Sequence, residues 1–269
     1  TDRAGVVIYD CMDELSGFKD APPALAFNEK QLLARSDLVF TGGRALYEAK
    51  RLKHPSVHCF PSGIDTKHFG RARDHRRMAG RTPASRPRVG FAGVIDERMD
   101  VALLDAVAAQ LPEIDFDIVG PVVKIDPATL PARPNVRYLG MQDYRVLPEL
   151  MAEWDVAMMP FACNEATRYI SPTKTPEYLA AGLAVVSTSI RDVVARYGEP
   201  GLVSIADDPE SFARALEDAL PTRDDPARLR AVEAALKDSS WDGIWQRMAA
   251  LEHQALKTVA SAEQTAEAQ

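Results

Sequence analysis

The residues whose types and spacing best suit a chemical role lie in a long polar loop and the helix after it. A buried strand is predicted at Val156–Pro160 and a helix at Thr175–Ala181, with the loop between them. The unpaired amides and positive dipole end near Thr173 suit a pyrophosphate. Lys174 adds a positive charge there, and Glu177 has the carboxylate to accept hydrogen bonds from ribose hydroxyls. Taken singly, Lys174 is also compatible with a solvated surface lysine, and Glu177 with an acid on the protein surface.

Other candidates follow the predicted strands, because ligands of open parallel sheets bind beyond the carboxyl ends of the strands. Gly93 directly follows the strand Val89–Ala92, so a ligand can approach the backbone closely there. Arg98, in the same loop, offers a forked donor for phosphate oxygens. The remaining candidates share a place after a strand or in the long loop, and they are Gly120, Leu139, Gly140, Tyr144, Asn164, Thr167, Ser171, Pro172 and Thr173.

The elements that must position these residues alternate along the chain as short apolar strand, loop and amphipathic helix. Such alternation predicts an α/β fold of parallel sheets covered by helices, here two doubly wound domains. We expect a partial first domain with a linker in residues 1–85, the linker candidate being Asp65 to Arg86, and a complete second domain in residues 86–225. Residues 226–269 are predicted to form helices that pack back on the first domain, with a disordered tail from Ala260. The first domain holds about three strands and starts almost at once on one, so we expect preceding sequence.

The stripe of Trp241, Ile244, Trp245 and Met248 has helical spacing and is predicted to lie in the core. The five histidines (His54, His58, His68, His75 and His253) are interpreted as structural or solvated.

The composition and net charge of the chain limit the classes of partner that it is expected to bind. The chain has 269 residues, a net charge of −7 and a pI near 5.3, which argues against nucleic acid as the main partner. The basic run at residues 71–77 favours a solvated linker face, with an anionic membrane surface or lipid phosphate as the alternative.

The three cysteines form no CxxC pair, so we expect neither disulfides nor a metal site. No apolar run is long enough to span a bilayer. These features together predict a cytoplasmic protein.

The string from Ser171 to Thr188, SPTKTPEYLAAGLAVVST, closely resembles the signature of the retaining GT-B glycosyltransferases of family 4. Shorter pieces in the same order extend the resemblance over roughly residues 5–220. They include the segments around Asp10, Asp37, Gly63, Gly90 and Asp155. The resemblance implies a GT-B, Rossmann-like fold and transfer of a sugar, with retention, from a nucleoside diphosphate sugar to an acceptor hydroxyl.

Further expectations follow from the same resemblance. A UDP-sugar is favoured as donor, and no cofactor is obligatory. The acceptor is expected to be a glycan, a lipid-linked sugar or a small molecule, in cell-envelope polysaccharide synthesis at the inner face of the membrane. Arg98 and Lys174 would stabilise the departing diphosphate without a metal. Asp10, Asp13 and Glu14, after the first strand, are candidates for orienting the acceptor, or simply for capping a turn.

One departure from the family pattern concerns the sugar. Many members carry two glutamates eight residues apart; Glu177 matches the second, but Tyr169 stands at the first. Asn164, Thr167 or Arg168 are the hypothetical substitutes for the missing acid.

Two other functions remain open at this stage. The chain could be a catalytically inactive nucleotide-binding or scaffolding subunit, or a GT-B-fold sugar-nucleotide epimerase. A Rossmann dehydrogenase is disfavoured, because no GxGxxG follows a predicted strand.

Overall fold

The computed structural model describes residues 5–79 and 86–267 of the chain. The strands are β1 Ile8–Cys11, β2 Leu38–Thr41, β3 Val57–Cys59, β4 Arg88–Ala92, β5 Asp115–Val119, β6 Val136–Gly140, β7 Val156–Met159, β8 Ala184–Ser187 and β9 Ser204–Ile205. The helices are α1 Ala24–Arg35, α2 Arg44–Lys50, α3 Thr66–Ala79, α4 Val101–Gln110, α5 Leu147–Ala152, α6 Lys174–Ala180, α7 Arg191–Val193, α8 Pro209–Ala219, α9 Pro226–Leu236 and α10 Trp241–Glu267.

These elements divide into two compact units. The first unit runs up to Gly63 and also takes in Tyr169–Ser171 and the chain from Asp238 onward. The second unit consists of Ile64–Arg168 and Pro172–Lys237.

The first unit is built on a parallel sheet in the order β1-β2-β3. One face of this sheet packs on α10, because Leu38, Phe40 and Phe60 form a buried cluster with Ile244. Phe40 and Phe60 meet edge to face, with ring centroids 5.0 Å apart. The apolar stripe of α10 thus supplies the sheet with the cover that a parallel sheet requires.

The second unit contains a six-stranded parallel sheet in the order β6-β5-β4-β7-β8-β9. The chain builds outward from β4 to β6, then returns to the other side of β4 with β7. The strand order therefore reverses between β4 and β7, and such a switch point opens a crevice at the carboxyl ends of the strands. Gly90, in the middle of β4, leaves room for the fully buried indole of Trp154.

The long helices of this unit begin where the sequence provides caps. Asp100 accepts a hydrogen bond from the Leu103 amide at 2.8 Å and so starts α4. Asp208 and Asp225 cap α8 and α9 in the same manner, each followed by a proline at the first helical position. Aspartate followed by proline is a favoured helix start, because it satisfies open amides and fixes φ.

The segment predicted to be a linker is a helix over most of its length. Residues 66–79 form α3, which packs on α5 and α6 within the second unit. Arg73 donates to the Ala180 carbonyl at 3.0 Å and pairs with Glu233, while Arg76 reaches the carbonyls of Met151 and Ala152. The prediction failed because a helix rich in arginine lacks an apolar stripe, and its partners are distant in sequence. Residues 80–85 of the predicted linker lie outside the described residues.

The unit boundaries differ accordingly from the predicted ones. The first unit gives way to the second after Gly63 rather than at residue 85, and α9 belongs to the second unit, whereas α10 belongs to the first. The helix α10 continues to Glu267, so the prediction of disorder from Ala260 is wrong up to that residue; residues 268–269 lie outside the described part.

The predicted tryptophan stripe is also only half right. Ile244 is buried and Met248 packs on the same core, but Trp241 and Trp245 are 56% and 65% exposed. Helical spacing places the four side chains within one broad arc. The sheet covers only the part of that arc centred on Ile244.

Among the described residues, no helix is long and apolar enough to cross a bilayer. Within the same residues, no group of three or more histidine, cysteine or acidic side chains is placed to hold a metal ion. None of the three cysteines forms a disulfide bond within the described part of the chain.

Candidate donor-binding site

Three glycines lie at the carboxyl ends of the neighbouring strands β4, β5 and β6. Backbone hydrogen bonds of these glycines join the strand ends. The Gly93 amide donates to the Val119 carbonyl at 2.8 Å, and the Gly120 amide donates to the Gly140 carbonyl at 2.8 Å. Gly120 has φ +140°, and a Cβ there would overlap the Gly93 carbonyl oxygen. Only glycine tolerates both the dihedral and the close approach. The sequence-predicted candidates Gly93, Gly120 and Gly140 are therefore brought together at one edge of the sheet.

Lys174 crosses this edge from the start of α6. Its side chain lies against Gly93, since a Cβ on that glycine would overlap the lysine Cε. Burial lowers the pKa of the ammonium, and Arg98 acts in the same direction while Glu177 opposes it. Among the described residues the ammonium has no hydrogen bond and no close ion pair. A cation so placed at the switch point is available to an anionic ligand.

Glu177 lies one helical turn after Lys174 and is partly buried. Burial raises the pKa of its carboxyl to about 7, although Lys174 and the Thr173 hydroxyl favour the charged form. A carboxyl whose pKa is raised in this way by burial, beside a lysine, is a candidate functional group. The Glu177 amide bonds to the Thr173 carbonyl at 3.3 Å, closing the first turn of α6.

Tyr178 fixes the position of this helix against the sheet. Its hydroxyl accepts a hydrogen bond from the Ala92 amide at 2.7 Å and donates to the Ala92 carbonyl at 3.3 Å. The side chain is fully buried, and burial raises the pKa of the phenol well above its usual range. The sequence analysis did not single out Tyr178. Its contact with the end of β4 aligns Lys174 and Glu177 with the switch point.

Arg98 is not the open phosphate fork that the sequence suggested. Its Nε and Nη2 atoms donate hydrogen bonds to the carboxylate of Asp96, and the shortest of these distances is 2.6 Å. Asp96 is only 6% exposed, so this bidentate pair is largely desolvated and organises the loop after β4. Arg98 still contributes positive potential near Lys174. A phosphate that bound its fork would have to share it with Asp96.

A cluster of three aromatic rings lies beside the loop after β6. The ring of Tyr144 stacks on His68 with centroids 4.2 Å apart and planes at 9°, and it meets Phe69 edge to face. The His68 Nε2 atom lies 3.0 Å from the Tyr144 carbonyl oxygen. Burial raises the pKa of the Tyr144 phenol, and the charges of Glu177 and Asp65 reinforce the shift. His68, which was interpreted as structural or solvated, is thus part of the surroundings of the site.

The long loop between β7 and α6 uses several of its polar groups to hold itself. Thr167 is buried, and its hydroxyl donates to the Ala162 carbonyl. The Asn164 amide donates to the Thr167 hydroxyl at 3.0 Å, and the Thr167 amide donates to the Asn164 side chain at 3.2 Å. Arg168 pairs with Glu165. These engagements weaken the hypothesis that Asn164, Thr167 or Arg168 replaces the missing acid toward a sugar.

The remaining candidates are placed as follows. The Pro172 carbonyl accepts the Thr175 amide at the entry to α6, and the Leu139 carbonyl accepts the side chain of Gln142 at 2.7 Å. Ser171 falls with Tyr169 in the stretch that groups with the first unit.

Sequence reasoning missed Glu97 in the loop after β4. Both carboxylate oxygens of Glu97 are buried without a hydrogen bond, and Lys124 lies 3.6 Å away. No motif points to this residue, because its burial depends on the pairing of the loops after β4 and β5 through Ile95 and Val122.

The acids proposed for an acceptor lie in the first unit. Glu14 is bound by the fully buried Lys50, whose ammonium is 2.6 Å from Glu14 and 2.5 Å from Glu29. That contact makes Glu14 structural. Asp10 is exposed at the end of β1, with a pKa raised by partial burial. Asp13 is partly exposed and stays a candidate.

Comparison with known proteins identifies the family to which this chain belongs. The model of the family described as glycosyl transferases group 1 matches residues 86–221, which is half of the chain and covers most of the second unit. Among curated proteins, the chain is 27% identical to the putative teichuronic acid biosynthesis glycosyltransferase TuaH of Bacillus subtilis, over 68% of this chain and 50% of that protein. It is 29% identical to the D-inositol 3-phosphate glycosyltransferase of Streptomyces scabiei, over 90% of this chain and 61% of that protein.

Solved structures show the same fold. The Anabaena protein Alr3699/HepE, in complex with UDP, superposes with a TM-score of 0.71 at 16% identity, covering 92% of this chain and 72% of that one. The sucrose-phosphate synthase of Thermosynechococcus elongatus superposes with a TM-score of 0.70 at 20% identity, covering 89% and 63%. The predicted α/β, GT-B-like fold is thereby confirmed. The chain spans half to three fifths of the length of the two curated relatives.

Proposed function

Because this chain belongs to the group 1 glycosyl transferases, we propose that it transfers a sugar from a nucleoside diphosphate sugar to an acceptor hydroxyl. The second unit would bind the donor at the switch point between β4 and β7. The observation that carries the proposal is the ammonium of Lys174, which is held over Gly93 without a partner among the described residues.

A diphosphate is the ligand that this ammonium fits. Burial costs the charged lysine free energy, as its lowered pKa reflects, and an anion bound beside it would recover that cost. The neighbouring Arg98–Asp96 pair adds no net charge of its own, so Lys174 is the main charged contact. In the proposed complex the open amides at the start of α6 and the backbone at Gly93 complete the phosphate contacts.

Glu177 and Tyr144 would bind the nucleoside. A carboxylate accepts two hydrogen bonds at once, which suits the adjacent hydroxyls of a ribose. The phenol of Tyr144 lies within electrostatic reach of Glu177, and its ring is already stacked on His68. We assign the base to this aromatic neighbourhood beside Leu139 and Gly140. Ser171, Pro172 and Thr173 remain candidates for contacts to the diphosphate.

The chemical work of the site is to stabilise the leaving diphosphate, whose negative charge grows as the glycosidic bond breaks. Preorganised cations and amides perform that work, and removing one such group typically costs about 2–4 kcal/mol of barrier. Lys174 would supply this stabilisation directly, and Arg98 through its field. In this proposal no metal or other cofactor is obligatory, and the protein groups carry the charge compensation.

The finer features of the proposal draw on relatives. A UDP-sugar donor is favoured, because HepE binds UDP and UDP-glucose. Retention at the anomeric carbon follows from the resemblance to family 4. An acceptor in cell-envelope polysaccharide synthesis is consistent with the name of TuaH. Contact with a membrane surface has less support, because Arg73 and Arg76 of the basic run bind groups within the second unit.

Calorimetric titration of the chain with UDP, GDP and ADP tests the donor site. We expect one nucleotide to bind in the micromolar to millimolar range and the Glu177→Ala variant to lose most of that affinity. The exposed acid Glu210, on α8 of the same unit, provides a control, Glu210→Ala, that should leave binding unchanged. If no nucleotide binds to the folded chain, the site assignment fails.

Transfer assays then separate the enzyme from the alternatives. Release of UDP that depends on an added acceptor supports a transferase, and conversion of the sugar nucleotide without acceptor supports an epimerase. Nucleotide binding without any turnover in the full-length protein would favour a scaffolding subunit.

A further inference from the structure

The ring of Tyr144 has one covered face and one open face. The imidazole of His68 lies parallel to it, with planes at 9° and centroids 4.2 Å apart, and covers one face. Phe69 lies nearly at right angles to both rings, with its centroid 5.0 Å from that of His68 and 5.6 Å from that of Tyr144. A ring almost equidistant from both members of a stack lies beside them and not on top. The second face of Tyr144 therefore contacts no aromatic ring among the described residues, and the residue is 50% exposed.

His68 is held firmly by the first turn of α3. The Asp65 carboxylate accepts a hydrogen bond from the His68 amide at 2.8 Å and so caps the helix. Phe69, the next residue, is 1% exposed and anchors the same turn in the core. The His68 Nε2 atom lies 3.0 Å from the Tyr144 carbonyl oxygen. Because a carbonyl oxygen can only accept, Nε2 carries a proton and donates to it. His68 thus contacts both the ring and the backbone of Tyr144 from a rigid element.

Tyr144, in contrast, lies on a short turn. Residues 144–146 form a single turn of 3-10 helix, which Asp143 caps. An exposed side chain on such a turn has several staggered rotamers open to it. The stack on His68 stabilises one of them, since parallel aromatic rings in contact attract each other beyond the burial of their area. The orientation of the open Tyr144 face therefore depends on His68.

The open face of Tyr144 adjoins the edge of the sheet at which the donor is proposed to bind. Gly140, four residues before Tyr144, is joined to Gly120 at that edge. Burial raises the pKa of the Tyr144 phenol, and the charge of Glu177 adds to the shift, so the phenol lies within electrostatic reach of that carboxylate. Glu177 is the group proposed to hold the ribose. A planar nucleobase is the group that an open aromatic face beside a ribose site fits, because bases stack on aromatic side chains.

We propose that His68 is a positioning residue of the donor site, which holds the Tyr144 ring so that its open face stacks on the base of the nucleotide. Imidazole, phenol and base then form one stack of three planar groups. His68 does not touch the nucleotide, so its effect on affinity passes through Tyr144. This role rests on the proposed function and deepens it, since it specifies how the base of the donor is held.

The test titrates the full chain calorimetrically with UDP, GDP and ADP and follows the nucleotide that binds most tightly. Tyr144→Ala should weaken binding about tenfold, through the loss of one base-stacking contact. His68→Ala should weaken it about threefold to tenfold. The Tyr144→Ala/His68→Ala double variant should be no weaker than Tyr144→Ala alone, because both changes act through one ring. In a Lys174→Met background, by contrast, His68→Ala should cost the same factor as in the wild type, since Lys174 is proposed to contact the diphosphate.

Two further substitutions separate the stack from the hydrogen bond. His68→Phe keeps a flat ring against Tyr144 and should restore affinity to within about threefold of the wild type. Its lost bond to the Tyr144 carbonyl is solvent-exposed, so water replaces it. His68→Gln keeps a donor without a ring and should bind as weakly as His68→Ala. The matched control is His75→Ala, at a partly exposed histidine of the same helix, which should leave affinity unchanged. Urea unfolding checks that each variant is folded.

Fluorine NMR supplies a readout that a loss of stability does not move. The chain has seven tyrosines, and Tyr144→Phe identifies the Tyr144 signal in protein labelled with fluorotyrosine. His68→Ala should shift that signal in the free protein, because the ring current of the imidazole is lost. Nucleotide should shift it further in the wild type.

Three results would overturn the role of His68. They are unchanged affinity in His68→Ala, additive losses in the Tyr144→Ala/His68→Ala double variant, and rescue by His68→Gln but not by His68→Phe. With nucleotide binding still lost in Glu177→Ala, each would leave the donor site itself intact. Failure of all three nucleotides to bind the folded wild type would overturn both this role and the proposed function.

Discussion

At the scale of single residues, Glu177 gives the site a pH dependence whose sign can be stated. Its folded pKa, about 7, lies above the ordinary value of 4.5. Between those values the folded protein holds a proton that the unfolded chain has released. The stability of the fold therefore falls as pH rises through this window, because the unfolded state then binds fewer protons.

The Glu177→Gln variant should remove this dependence. We expect its free energy of unfolding to exceed that of the wild type by about 3 kcal/mol at pH 8, with almost no difference at pH 4. Urea unfolding at a series of pH values measures the effect. Glu210→Gln, at an exposed position on α8, is the matched control and should follow the wild type. A parallel pH profile for Glu177→Gln and wild type would show that Glu177 is not buried as described.

Lys174 should matter to binding and little to folding. The Lys174→Met variant keeps the aliphatic stem but removes the charge, so the chain should fold at least as well, since an unpaired, partly buried ammonium is lost. Nucleoside diphosphate affinity should fall about tenfold to a hundredfold, equivalent to the loss of one charge-assisted contact of 1.5–3 kcal/mol. The corresponding nucleoside, which lacks phosphates, should bind the variant and the wild type equally. Lys67→Met, on the exposed face of α3, is the control.

At the scale of elements, the candidate site depends on the packing of the Lys174 side chain, at the start of α6, against Gly93 at the end of β4. A methyl group on Gly93 would occupy the place of the Lys174 stem. We expect Gly93→Ala to displace the lysine and weaken UDP binding, measured by calorimetry, by an amount close to that of Lys174→Met. Because both changes act through one side chain, the double variant should be no worse than either single one.

The control for this experiment is Gly201→Ala. Gly201 has φ +75° in a turn and open space around its Cα, so alanine there strains the backbone without touching the site. It should cost stability on the order of 1 kcal/mol and leave UDP affinity unchanged. Additive losses in the Gly93→Ala/Lys174→Met double variant would contradict the account given for β4 and α6.

In the first unit, an ion cluster joins the loop after β1 to α1 and α2. Lys50 is fully buried between Glu14 and Glu29. Lys50→Met should destabilise the protein by about 3–5 kcal/mol, because two acids lose their buried counter-charge. Thermal or urea unfolding measures this loss. Adding Glu29→Gln should restore part of it, whereas Lys30→Met, on the exposed side of α1, should have little effect.

At the scale of the whole molecule, ligand binding and stability are linked. A ligand that binds only the folded state at about 100 times its Kd adds about 2.7 kcal/mol to the free energy of unfolding. For a chain of this size we expect UDP at that concentration to raise the Tm by about 5–10 °C, as seen by calorimetry. The Lys174→Met/Glu177→Ala double variant should show no rise. A rise of equal size in that variant would place the nucleotide elsewhere on the molecule.

Sequence alone determined the alternation of strands and helices and the location of the candidate binding loop. Strand periods are local, so the strands predicted at Val89–Ala92 and Val156–Pro160 match β4 and β7 within one residue at either end. The string from Ser171 to Thr188 also specified the family, because glycines, prolines and charges at the start of a helix are read directly from the chain. The match to residues 86–221 confirms that the chain is a group 1 glycosyl transferase, while the assignment to family 4 stays a prediction.

Tertiary structure alone decided which of those residues remain available for chemistry. Arg98 and Lys174 look alike as cations in a loop, yet Arg98 is held by Asp96 while Lys174 crosses Gly93 unpaired among the described residues. The helix α3 was hidden for a related reason. Its arginines are stabilised by carbonyls and an acid some 75 to 160 positions away in sequence. Periodicity reports which face of an element is apolar, but ion pairs and close backbone approaches depend on which elements meet, and only the folded chain fixes that.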